Sequence, residues 1–149
     1  MTKLVFILLT LSQFAFASSQ TIGSFKGIVT TGAVVEHEFN LTGGVATCGT
    51  ISEYGIQKCS VEGASLFVNR GNSPSLNISF TKLVISKYKG KYYYYYQGMM
   101  KKNLGDVEIE RNYSAKFALL AGTPNQISGT LAYGESSYGG SRLEGYEVQ

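Results

Sequence analysis

One alternating stretch decides the fold class of this chain: Asp106-Val107-Glu108-Ile109-Glu110-Arg111-Asn112-Tyr113-Ser114-Ala115-Lys116-Phe117-Ala118-Leu119. One face collects apolar side chains, interrupted only by Arg111, and the other face collects polar ones. A period of two is typical of a half-buried β-strand. The strand is long, on the order of 14 residues, so it should bend or belong to a strongly coiled sheet. No stretch of useful length has helical periodicity, and we therefore predict an all-β protein.

Further strand-like segments follow one another along the rest of the chain. They begin about ten residues apart, with Gly, Asn or Lys-Gly at most joints, which predicts an antiparallel meander of about 8–10 strands forming a barrel or a sandwich. In the segment 76–87 the apolar face changes phase, which predicts a β-bulge or a corner near Lys82. The other segments are residues 22–31, 33–42, 45–52, 56–61, 65–69, 91–100, 106–120, 126–134 and 142–148.

The N-terminus has the features of a cleavable secretory signal peptide. Lys3 supplies a positive charge, an apolar run follows from Leu4, and Ala15-Phe16-Ala17 is a small-x-small cleavage site. The apolar run is shorter than the ~20 residues that a membrane-spanning helix needs. We therefore predict a signal peptide over residues 1–17 and a protein that is secreted, periplasmic or on the cell surface. No later stretch could cross a membrane as a helix.

Length and charge limit what the remaining residues can do. Residues 18–149 suit one β domain, in which residues 134–146 are rich in Gly, Ser and Tyr and are interpreted as a loop or loose tail. Losing Lys3 with the signal peptide lowers the formal net charge from +3 to +2. So mild a charge does not favour a polyanionic partner, and we expect no nucleic acid.

Cys48 and Cys59 are the only cysteines, and in an exported chain such a pair predicts a disulfide. A turn over residues 52–55, with Gly55 in a left-handed conformation, would place the two cysteines directly opposite each other on a hairpin. That separation suits disulfide geometry. Closing so short a loop contributes roughly 3 kcal/mol in the chain-entropy model.

The run Tyr92-Tyr93-Tyr94-Tyr95-Tyr96 is the most unusual feature of the chain. On a strand its rings must divide between two faces. A turn at Lys89-Gly90 and a second turn over residues 102–105 would align this strand with both neighbours. These turns predict an exposed candidate surface formed by Lys91, Tyr93, Tyr95 and Lys101. They assign Tyr92, Tyr94 and Tyr96 to the core, together with Leu83, Ile85, Val107 and Ile109.

Two interpretations of the exposed tyrosines remain open. Rigid amphipathic rings beside lysines and hydroxyl groups can stack on sugars or anchor a protein partner. Alternatively, the rings form cross-strand pairs that only stabilise the sheet, at about 0.2–1 kcal/mol each. The run is also prone to aggregate by composition, and the lysines around it oppose edge-to-edge pairing.

Residues with catalytic chemistry are sparse. His37 is the only histidine, and on a strand it points away from Glu36 and Glu38, so we expect no metal site and no cofactor. Glu108 and Glu110 share a face about 7 Å apart, but adjacent glutamates on an exposed strand rarely act as a catalytic pair. We expect no catalytic residue and no enzyme. Three possible N-glycosylation sites are Asn40, Asn77 and Asn112.

These observations favour an exported, non-catalytic binding or inhibitory module that recognises a protein, a glycan or a small ligand. The alternative is a structural or surface-assembly protein that self-associates through its tyrosine-rich strand. An eight-stranded outer-membrane barrel is possible by strand count, but the disulfide and the polar face from Asp106 to Ser114 disfavour it.

Overall fold

The structure, a computed structural model, describes residues 18–32, 35–71, 75–133 and 140–148, which form ten β-strands and no helix. The predicted signal peptide, residues 1–17, lies outside the described residues. No apolar helix of membrane-spanning length is present in the described part of the chain. The strands are β1 (Ser18–Thr21), β2 (Ser24–Thr31), β3 (Val35–Thr42), β4 (Val45–Cys48), β5 (Ile56–Asn69), β6 (Leu76–Tyr88), β7 (Lys91–Leu104), β8 (Val107–Leu120), β9 (Gln126–Tyr133) and β10 (Ser141–Val148).

Eight of these strands close into an antiparallel barrel, which confirms the all-β meander and decides between a barrel and a sandwich. The order around the barrel is β5-β3-β2-β10-β9-β8-β7-β6, and β6 returns to pair with β5. Closure pairs the first barrel strand with the last, as in Val29 opposite Leu143. A closed sheet has no unpaired edge within the barrel, so each barrel strand is hydrogen-bonded on both sides.

β1 and β4 extend two of the barrel strands beyond the closed part. The pairing of β2 with β3 continues as the pairing of β1 with β4, in the same register, from Ser24 opposite Thr42 to Thr21 opposite Val45. The interruption at residues 43–44 needs glycine. A Cβ at Gly43 would overlap the backbone carbonyl oxygen of Gly23 and come within 2.7 Å of the Ile22 Cβ.

The disulfide joins Cys48 to Cys59 at the position predicted. The two residues are direct cross-strand partners with Cα atoms 4.0 Å apart. The Gly55 N–H donates to the Ser52 carbonyl oxygen at 3.0 Å, and Gly55 has a φ of 76°. The left-handed glycine and this hydrogen bond confirm the predicted turn, and Cys48 is fully buried in the core.

The pairings of β6 with β5 and with β7 both contain an irregularity near the same part of β6. The predicted segments 56–61 and 65–69 are one strand, β5, whose register against β6 shifts between Ser60 and Ala64. Between β6 and β7 the register shifts between Phe80 and Lys82. The predicted bulge near Lys82 is therefore confirmed, and it explains why the apolar residues of β6 change parity there.

Aromatic and aliphatic side chains fill the barrel interior. The Phe80 and Tyr96 ring centroids lie 5.2 Å apart, and those of Phe25 and Phe117 lie 5.8 Å apart. Eight-stranded barrels are narrow enough for side chains to fill them in this way. Other fully buried members of this core include Phe39, Leu41, Leu66, Ile78, Leu83, Ile127 and Leu143.

The predicted core was wrong at the ends of β7 and β8. Tyr92, at the start of β7 beside the Lys89-Gly90 turn, is 42% exposed, and at the other end Val107 is 59% exposed and Ile109 only half-buried. In the described chain, β8 pairs with β9 only from Tyr113 onward, and β7 pairs with β6 only up to Met99. Residues 100–104 and 107–112 therefore pair only with each other. They form a two-stranded arm that extends past the barrel, in which Met100 still packs against the core but Val107 does not.

The predicted loop or tail over residues 134–146 was wrong for its second part. Ser141 begins β10, which confirms the strand also predicted over residues 142–148 and pairs with both β9 and β2. Leu143 is fully buried, so this segment contributes to closure of the barrel. Residues 134–139 lie outside the described residues.

Candidate functional site

The predicted tyrosine surface forms on the outer side of β7. Tyr93 lies opposite Ser86 and Tyr95 lies opposite Val84, which confirms the register predicted from the Lys89-Gly90 turn. Positive φ values at both turn residues, 50° and 81°, are typical of the tight type I′ turn. Tyr93 and Tyr95 are half-buried, and Lys91 beside them is exposed.

Lys101 does not belong to this surface, because it lies in the arm, far along β7 from the tyrosines, and the second predicted turn was also wrong. The β7–β8 hairpin turns at Gly105-Asp106 and places Lys101 opposite Glu110. Six residues of strand, about 20 Å, separate Lys101 from Tyr95. The Lys101 ammonium instead lies 3.6 Å from Glu108 and 3.9 Å from Glu110, within the arm.

Lys116, which was not predicted to belong to the surface, lies beside Tyr95. It lies directly opposite Tyr95, and its Nζ is 5.2 Å from the centre of the Tyr95 ring. Such a cation–π contact contributes about 0.5–1 kcal/mol at an exposed site. The sequence does carry a signal for it, since Gly105-Asp106 is a two-residue hairpin turn that aligns Tyr95 with Lys116.

A groove of about 470 Å³ opens beside Tyr95, on the outer surface next to the bulge in β6. The bulge separates the outward side chains of β6 and β7, because Phe80 pairs with Gly98 while Lys82 pairs with Gln97. The side chains that line the groove include Lys82, Tyr95, Gln97, Met99, Asn112 and Ser114.

The groove is lined by the Tyr95 and Tyr113 side chains, the Lys82 ammonium and several neutral hydrogen-bonding groups. The Gln97 side-chain amide donates to the Tyr95 hydroxyl at 3.4 Å, which orients the ring and leaves the amide oxygen of Gln97 as an acceptor. Asn112 and Ser114, on the neighbouring strand β8, add amide and hydroxyl groups to the lining. The described lining contains no Asp, Glu, His or Cys. This lining can stack against a ring and hydrogen-bond to hydroxyl groups around it.

A second, smaller cavity of about 250 Å³ lies at the mouth of the barrel opposite the disulfide hairpin. Val29, Val68 and Leu131 form its apolar wall, and His37 and Arg70 stand at its rim. His37 is half-buried and turned toward this cavity, while its neighbours Glu36 and Glu38 are exposed on the outer face.

The three possible glycosylation sites are all exposed strand residues. Asn40 and Asn77 lie on either side of Phe67, in neighbouring strands. Asn112 lies on the wall of the groove, so a glycan attached there would compete with any ligand for the same space.

Comparisons with known proteins add no relative. No protein-family model matches the chain, and no curated protein and no solved structure matches it.

Proposed function

We propose that this chain is an exported binding module that recognises a glycan in the groove beside Tyr95. The observation that carries the proposal is the combination of a tyrosine ring, amides and hydroxyls around one open groove. Sugars present apolar ring faces bordered by hydroxyl groups, and a tyrosine with nearby amides matches both parts. The packed barrel interior also supports recognition on the outside of the barrel.

The alternative of self-assembly through the tyrosine strand has less support. Backbone pairing with β6 and β8 covers both edges of the run from Tyr92 to Tyr96. A second copy could not add a strand there without breaking the barrel. Only the outward rings would be left for such an assembly.

A glycan microarray tests the proposal, followed by titration calorimetry of the strongest binder. Replacing Tyr95→Ser should weaken binding about tenfold, because an aromatic contact contributes about 0.5–1.5 kcal/mol beyond the area that it buries. Asn112→Ala should weaken binding by removing a hydrogen-bonding group that β8 contributes to the groove. Lys101→Ala, in the arm, is the matched control and should bind like the parent protein.

Circular dichroism must show an intact β-sheet spectrum for every variant. The proposal fails if the array shows no binding, or if Tyr95→Ser binds the selected glycan as tightly as the parent protein.

A further inference from the structure

One outer face of the barrel contains no acidic residue. This face, called here the basic face, consists of the outward side chains of residues 56–60 in β5, 82–88 in β6, 91–97 in β7 and 114–120 in β8. These four segments are consecutive neighbours in the barrel. None of them contains Asp or Glu.

Four lysines point outward from the basic face: Lys58, Lys82, Lys91 and Lys116, all of them exposed. Lys58, Val84, Tyr95 and Lys116 form one continuous row across the four strands. Neighbouring strands lie about 4.8 Å apart, so this row spans about 14 Å. Lys82 lines the groove itself. Two of the positive charges therefore lie at the site that the proposed function uses: Lys116 over the Tyr95 ring and Lys82 in the lining of the groove.

The acidic residues lie outside this face. Glu53 and Glu62 border it at its tip and at the β5 irregularity, while Glu108 and Glu110 lie in the arm beside Lys101. The formal net charge of +3 for the whole chain conceals this segregation. A surface with one sign of charge attracts ligands of the opposite sign, whatever the total charge of the protein.

We propose that the basic face binds an anionic polysaccharide, one whose sugar rings carry carboxylate or sulfate groups. This inference rests on the proposed function and names its ligand class. Tyr95 would stack on a ring, Gln97 and Asn112 would bind hydroxyl groups, and the lysines would pair with the acidic groups of successive rings. A nucleic acid is the competing polyanion, and the amide and hydroxyl lining of the groove favours a sugar over a base.

The first test compares polygalacturonate with its fully methyl-esterified form, which has the same rings without the charge. Titration calorimetry of the full chain, with its disulfide formed, should give about tenfold tighter binding to the charged polymer. Binding should weaken between about 50 mM and about 300 mM NaCl, because salt screens exposed charges. Dextran sulfate, a sulfated polysaccharide, and oligothymidylate, a nucleic acid, are titrated in the same way.

The second test compares two variants that each lose three positive charges, one from the basic face and the other from elsewhere on the surface. The variant Lys58→Gln/Lys82→Gln/Lys116→Gln should bind polygalacturonate at least about tenfold more weakly than the parent protein. The control Lys26→Gln/Lys101→Gln/Arg142→Gln loses the same charge from other exposed sites and should stay within about twofold. Binding of dextran sulfate should follow the same order if the site recognises negative charge generally.

Each contrary outcome has a distinct meaning. Equal binding of the charged and esterified polymers would overturn the anionic ligand while leaving sugar recognition standing. Equal loss in both triple variants would show attraction by net charge alone, and tighter binding of oligothymidylate would assign a nucleic acid instead. Failure to bind any polymer or any arrayed glycan would overturn the proposed function as well.

Discussion

At the scale of the residue, Tyr96 connects two distant parts of the barrel. Its ring is fully buried, and its hydroxyl donates a hydrogen bond to the Gly43 carbonyl oxygen at 3.0 Å. Gly43 lies where β3 passes into β4. Burial raises the pKa of Tyr96 above its ordinary value of 10.0, and the neighbouring Tyr94 raises it further. The pKa of Tyr94 is also raised, first by burial and then by Tyr92 and Glu147.

These raised pKa values predict a loss of stability in alkali. The unfolded chain releases a tyrosine proton near pH 10.0, while the folded barrel holds the Tyr96 proton to higher pH. The free energy of unfolding that the protonated Tyr96 contributes is therefore complete below pH 10. It is lost as the pH rises above 10, by about 1.4 kcal/mol per pH unit. Urea unfolding at a series of pH values on both sides of this point measures the slope.

Tyr96→Phe is the variant that identifies the group responsible. It should unfold about 1–3 kcal/mol more easily at neutral pH, because the Gly43 carbonyl loses its donor. Its stability should then fall less steeply in alkali than that of the parent protein. Tyr93→Phe, on the outer face, should change the neutral stability by less than about 0.5 kcal/mol. A parent-like alkaline slope in Tyr96→Phe would contradict the assignment.

At the scale of the element, the close approach of β6 and β7 depends on Gly98. A Cβ at this position would overlap the Ser79 carbonyl oxygen and come within 2.7 Å of the Phe80 Cα. Gly98 also lines the groove, so the same contact that brings the strands together shapes the floor of the candidate site.

Gly98→Ala should therefore destabilise the barrel by about 1–3 kcal/mol, because the two backbones must move apart to admit the methyl group. Gly49→Ala is the matched control, since its Cβ would meet nothing closer than the Lys58 carbonyl oxygen at 3.8 Å. Urea unfolding followed by tyrosine fluorescence compares the two variants. Equal stability of Gly98→Ala and Gly49→Ala would show that the strands are not held at this distance.

At the scale of the whole molecule, the disulfide and the closure of the barrel are separate features. The cysteines join β4 to β5, whereas the barrel closes through β2 with β10 and through β5 with β6. Cys48→Ala/Cys59→Ala should lower the free energy of unfolding by about 3 kcal/mol and retain the β-sheet spectrum. Urea unfolding and far-ultraviolet circular dichroism check both parts. Complete loss of the sheet would mean that closure requires the disulfide.

The distribution of charge over the surface is also a property of the whole molecule. The small net charge predicted no polyanionic partner, yet β5 to β8 present four lysines on a face without an acid. Net charge is a property of composition and carries no information about which side chains share a surface. The pairing of the consecutive strands β5 to β8 brings Lys58, Lys82 and Lys116, which are distant in the chain, onto the same side of the barrel.

The sequence by itself determined the features that depend on neighbouring residues. Alternation identified the strands, the turn at Gly55 aligned Cys48 with Cys59, and the Lys89-Gly90 turn aligned Tyr93 with Ser86. Each of these depends on a short turn and a period of two, which are local properties of the backbone.

Only the tertiary structure decided closure, the extent of the core and the composition of the candidate site. Moving one turn to Gly105-Asp106 shifts the β7–β8 register by four residues. The shift is even, so it preserves the predicted faces but places Lys116, where Asn112 was predicted, opposite Tyr95. Val107 alternates like a core residue but lies where no other strand covers it. The alternation of apolar and polar residues shows which side of a strand is apolar, whereas burial depends on which other strands pack against that side.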